Sequence, residues 1–147
     1  MKAIDLSITR REAEWTRISD AIWDDAELRF EERKSSARLA EALEALGFAI
    51  ERNVAGLETA FIASFGQGSP VIAILGEYDA LPGLSQVAGI AEKRPLEAGG
   101  NGHGCGHNLL GTAAAAAAVA VADCLKERSL PGTVRVYGWP AGGGGGG

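Results

Sequence analysis

Six consecutive alanines at positions 113–118, continued by Val119, Ala120, Val121 and Ala122, constrain the fold of this chain more than any other stretch. Alanine is the best helix former, so the run predicts a helix that begins at Asn108 or Thr112 and ends near Ser129. One-carbon side chains leave such a helix nearly smooth, and it can lie close against a sheet. The strands to receive it are legible at 48–51, 60–63, 71–75 and 133–137, short apolar segments bounded by glycine-containing turns. The third, Val71-Ile72-Ala73-Ile74-Leu75, is apolar throughout, which predicts a central strand.

Ahead of these strands, Ala13, Trp15, Ile18, Ala21 and Ile22 give a helical apolar face over 9–24. A second helix is expected from Ser35 as its cap to Gly47 as its stop, with Leu39, Ala42, Leu43 and Leu46 as its stripe. The order helices, strands, helix, strand predicts an α/β sandwich with a mixed, largely parallel sheet. At 147 residues and 46% hydrophobic content, one domain with a sizeable core is expected.

The formal charge is −5 and no basic run occurs, so the electrostatic footprint of a nucleic-acid binder is missing. No apolar segment follows Lys2 as a secretory signal would require, and the apolar run at 112–122 is too short to span a bilayer. A cytoplasmic protein with no membrane role is the expectation. Cys105 and Cys124 are not expected to pair, because a helix between them would separate them by roughly 24 Å.

Between 76 and 107 the periodicity lapses into a long glycine-rich loop, and loops of that length in a compact domain are usually functional. Two groups of chemistry-bearing residues stand in it. Glu77 and Asp79 directly follow the apolar strand, and a spacing of two directs both carboxylates to one side of an extended backbone. Either can bind a metal or orient a ligating histidine. His103-Gly104-Cys105-Gly106-His107 then holds every histidine of the chain and one of its two cysteines. Imidazole and thiolate suit zinc and its neighbours. Fully extended, the segment would hold the two histidines roughly 13 Å apart, so two adjacent ligands or a tightly bent loop is expected. A redox thiol at Cys105, or a glycine loop whose histidines only hydrogen-bond, are the competing readings.

At Gly76-Glu77-Tyr78-Asp79-Ala80-Leu81-Pro82-Gly83, and again at Gly102-His103-Gly104-Cys105-Gly106-His107-Asn108, the chain resembles the metal-dependent amidohydrolases and peptidases related to carboxypeptidase G and aminoacylase. Within them it is most similar to the aminobenzoyl-glutamate hydrolase branch. The resemblance implies a three-layer α/β/α catalytic domain, present in part. It also implies a zinc or manganese pair, N-acyl amino acid or aroyl-glutamate substrates, and a homo- or hetero-oligomer in the intact protein. By position, Cys105 and His107 match two metal ligands, the cysteine as a bridge. Asp79 matches an acidic residue that supports the metals from beside them. Glu77 stands where distant relatives carry a ligating histidine, and His103 is left without a role.

Residues 1–141 are thus expected to form the N-terminal part of the catalytic domain, with the glycine run 142–147 as a truncated end and the lid domain absent. Gly142 and Gly143 occupy the positions of two family glutamates, one the general base and one a ligand. Glycine can supply neither function, so the isolated chain is expected to be inactive. The alternative is a non-catalytic metal-binding or subunit-interaction remnant of the same fold.

Overall fold

A computed structural model of the chain describes residues 2–140; the expected boundary at 141 and the glycine run 142–147 lie outside the described residues. The elements are α1 (Lys2–Arg10), α2 (Glu12–Asp25), α3 (Arg33–Ala45), β1 (Ala49–Arg52), β2 (Phe61–Gln67), β3 (Val71–Glu77), α4 (His107–Arg128) and β4 (Gly132–Trp139). The four strands form one mixed sheet in the order β1-β2-β4-β3. Only β3 and β4 run parallel, while β1 with β2 and β2 with β4 are antiparallel, so the parallel share is smaller than expected.

The strand expected at the centre is at an edge. β4 inserts between β2 and β3, and β3 has no further neighbour among the described residues. Val71 and Leu75, which by register point away from the helices, are 56 and 62% exposed, and Ile72 is 50% exposed. An apolar run records that a strand prefers burial, not which neighbour supplies it.

Among the described residues, one face of the sheet carries all the helices. Ile50, Phe61, Ala63, Phe65, Ile74, Val134 and Val136 share that face by register and pack with Trp15, Ile22, Leu39, Leu43 and the alanines of α4. Each fully buried Val, Leu or Phe there contributes about 1.5–3 kcal/mol. The described residues therefore supply two layers of the expected three. α4 is long and apolar enough to cross a membrane by length and composition, yet more than half of its apolar window is buried, with Ala115, Ala118, Val119 and Ala122 in the core.

The N-terminal helical region is longer than its apolar stripe implies. Ile4, Leu6 and Ile8 recur at a spacing of two and stay exposed, so no apolar face builds α1. A polar anchor holds it instead: Ser7 Oγ donates to Asp123 Oδ2 at 2.6 Å and Arg11 reaches the same oxygen at 2.9 Å. Ser7 and Arg11 belong to a turn of α1 and the start of α2, and Asp123 to α4, so the contact exists only once the helices meet.

Ser35 is not the cap of α3 but lies inside its first turn. The free N–H groups of Lys34 and Ser35 donate to the Glu27 carboxylate at 3.0 and 2.9 Å, and Ser35 Oγ adds a third bond at 2.8 Å. An anion at a helix N-terminus satisfies orphan donors and complements the helix dipole. Glu27→Ala should therefore lower stability by about 1–2 kcal/mol in urea unfolding, with Glu27→Gln costing less. An unchanged midpoint for Glu27→Ala would show that water replaces the carboxylate at no cost.

Candidate metal centre

The carboxyl end of β3 and the amino end of α4 meet because both are stripped of side-chain bulk there. A Cβ added at Gly111 would stand 2.7 Å from the Glu77 carbonyl oxygen, and one at Gly76 would stand 2.9 Å from the Ala114 Cβ. The helix can rest on the strand only without those carbons. Beyond β3 the chain is stapled on both sides. Ala80 N donates to the Glu27 carbonyl at 2.7 Å, and Leu81 and Gly102 exchange two backbone bonds of 3.0 Å. The second staple returns the glycine-rich loop to the strand end just before His107.

Gly106 then takes the left-handed conformation at φ 81°, its N–H bonded to the His103 carbonyl at 3.1 Å, and α4 begins at His107. This turn settles which motif residues converge. His107 Nδ1 lies 2.8 Å from Asp79 Oδ1, and Nε2 lies 3.1 Å from Glu77 Oε2. One ligand atom from each of the three residues falls within 4.8 Å of the others. The side chains are 14% (His107), 8% (Asp79) and 25% (Glu77) exposed, a nearly dry cluster open on the Glu77 side.

Cys105 stands on the crest of the same turn, exposed, and is not one of these three residues. The structure thus brings the expected ligand His107 to the carboxylates and leaves the expected ligand Cys105 outside their cluster. Both cysteines are free thiols. His103 has turned away toward α2, where its Nε2 lies 3.0 Å from the Ile22 carbonyl. A carbonyl only accepts, so that nitrogen carries the hydrogen. Burial holds the His103 imidazole below its ordinary pKa, and nearby His107 pushes the same way. His103 is a neutral tether between loop and helix.

The pairing of Glu77 with Asp79 was legible from their spacing, and the structure bears it out at one imidazole ring. Other contributors carried no sequence signal. Tyr78, between the carboxylates, is fully buried, its ring near-parallel to that of Phe61 at 6.2 Å and its hydroxyl bonded to the Thr59 carbonyl. Thr59 Oγ1 in turn donates to Glu32 at 2.8 Å. Asn108 fixes the start of α4 by donating to Ser19 Oγ at 3.1 Å.

The donor set suits a divalent cation. One imidazole nitrogen and two carboxylate oxygens are ligands that zinc and manganese accept. Ligands about 2.1 Å from a shared ion stand roughly 3–4 Å apart, and His107 Nε2 and Glu77 Oε2 already stand at 3.1 Å.

The fold is that of the metal-dependent peptidases that the sequence resembles. In sequence, the chain is 58% identical to a subunit of the p-aminobenzoyl-glutamate hydrolase of Escherichia coli (strain K12) over 144 residues, 98% of this chain and 30% of that protein. It is 34% identical to Xaa-Arg dipeptidase of Mus musculus over 143 residues, 88% of this chain and 29% of that one. Among solved structures it is similar to the YXEP protein of Bacillus subtilis, a dinuclear metal-binding peptidase of the M20 family. The TM-score is 0.62 at 28% identity, over 88% of this chain and 36% of that chain. No family model matches the chain. The chain spans about a third of the length of these relatives.

Proposed function

We propose that this chain forms the metal-binding N-terminal part of an amidohydrolase that cleaves an aroyl or acyl amino acid of the aminobenzoyl-glutamate type. One observation carries the reading: His107 is held between Glu77 and Asp79 at the carboxyl end of a sheet strand, where α/β folds bind ligands. Identity of 58% to an aminobenzoyl-glutamate hydrolase subunit supports the substrate class, and the subunit designation supports assembly with further chains.

In this reading Asp79 accepts the Nδ1 hydrogen of His107, which fixes the ring with Nε2 toward Glu77. Nε2 and the Glu77 carboxylate then face each other across 3.1 Å as the inner ligands. Cys105, on the adjoining turn, is the further ligand that the family motif assigns, bound as thiolate. Zinc and manganese both accept this nitrogen, oxygen and sulfur set. When bound, the metal supplies Lewis-acid polarisation of the scissile carbonyl and acidifies water. The two free thiols support a reducing compartment such as the cytoplasm.

A second reading is favoured by Gly142 and Gly143, at positions where the family resemblance implies a general base and a ligand. In that reading the segment is a metal-binding remnant without turnover. A chimera separates the two: residues 1–141 replace their counterpart in the Escherichia coli hydrolase subunit, once with Glu and once with Gly at 142 and 143. The Glu chimera should hydrolyse p-aminobenzoyl-glutamate and lose that activity to a chelator, and the Gly chimera should be inactive. Activity in neither would overturn the hydrolase reading and leave the remnant.

A further inference from the structure

We infer that Tyr78, backed by Thr59 and Glu32, is a positioning residue for the Glu77 and Asp79 carboxylates, a role that rests on the metal-centre reading above. Tyr78 is joined to each of them by a single peptide unit, and its side chain is buried against Phe61 while both carboxylates reach His107. Whatever holds the Tyr78 side chain therefore sets the direction of the two carboxylates.

Three elements hold it. The ring lies 6.2 Å from that of Phe61 on β2 with 15° between the planes, and the hydroxyl donates to the Thr59 carbonyl in the turn before β2. Thr59 Oγ1 donates to Glu32 Oε2 at 2.8 Å, and Glu32 stands at the N-cap of α3. Tyr78 and Glu32 are fully buried and Thr59 is 2% exposed. A Cβ on Gly111 would meet the Tyr78 Cβ at 3.4 Å, so α4, which carries His107, is seated on the same residue.

Packing alone does not call for these polar groups. Phenylalanine would fill the same space without a buried hydroxyl, and a buried carboxyl with one oxygen unpartnered is costly to keep. Burial, the largest influence, holds the Glu32 carboxyl above its usual range. What the network adds over a greasy contact is direction: a hydrogen bond to a carbonyl fixes the ring tip, and through it the backbone at 77–79, in one orientation.

The test uses the 147-residue chain, isotopically labelled and metal-free, whose two histidines give separately observable ring signals. Tyr78→Phe should broaden or shift the His107 ring signals, leave those of His103 in place, and weaken Mn²⁺ binding in calorimetry by about tenfold. Thr59→Val should act in the same direction and Thr59→Ser should restore the wild-type spectrum, which a purely space-filling role would not require. Unchanged His107 signals and Mn²⁺ affinity in Tyr78→Phe would overturn the proposal. So would equal behaviour of Thr59→Val and Thr59→Ser, the pair that decides the matter should Tyr78→Phe not fold. A wild-type chain that binds no Mn²⁺ would refute the metal-centre reading instead, and the metal-free His107 spectra would still decide the positioning role.

Discussion

Asp79→Ala should lower the affinity of the chain for Mn²⁺ or Zn²⁺ on the order of 100-fold, measured by titration calorimetry on metal-free protein. The change removes the carboxylate that accepts the His107 Nδ1 hydrogen at 2.8 Å and holds the ring in place. Asp79→Asn keeps an oxygen at that position and should fall between the two. The fold should survive both, because Asp79 lies outside the apolar core. Wild-type affinity in Asp79→Ala would mean that the three residues form only a hydrogen-bonded group, and that the ion sits elsewhere.

Gly111→Val should destabilise the chain by about 3 kcal/mol in urea unfolding and remove metal binding with it. The new Cβ would stand 2.7 Å from the Glu77 carbonyl oxygen and 3.1 Å from Leu39 Cδ1. A backbone oxygen cannot swing aside as a side-chain tip can, so the start of α4 must lift from the strand and carry His107 away from its partners. Ala113→Val, on the same helix at an exposed position, should cost no more than about 0.5 kcal/mol and leave metal binding unchanged. Equal stability of the two variants would show that the close contact at Gly111 is not what seats the helix.

Local chemistry was readable wherever it was written in neighbouring residues. The alanine run predicted α4, which ends at Arg128 just before the expected stop at Ser129. Spacing by two placed Glu77 and Asp79 on one side, and both reach the same imidazole. The motif resemblance is matched by the similarity to metal-dependent hydrolases in sequence and structure. Readings failed where a residue's partner lies far along the chain. Ser35 had the composition of a cap, but the Glu27 carboxylate arrives from eight residues earlier and takes that place. The apolar run of β3 suggested a central strand, but the sheet order is set by where β4 returns after α4, which no local pattern records.

By itself, the sequence determined most of the element types, the strand-end carboxylates and the family resemblance, because periodicity, propensity and ligand type are properties of short segments. Only the tertiary structure decided which motif residues share a site. Residue type alone makes His103, Cys105 and His107 equal candidates, and the family resemblance favours Cys105 and His107. A left-handed turn at Gly106 and a side-chain-free contact between Gly111 and Glu77 carry His107 to the carboxylates, leave Cys105 exposed and send His103 to α2. The selection is a matter of backbone direction over a few ångströms, set by packing between elements that are distant in the chain.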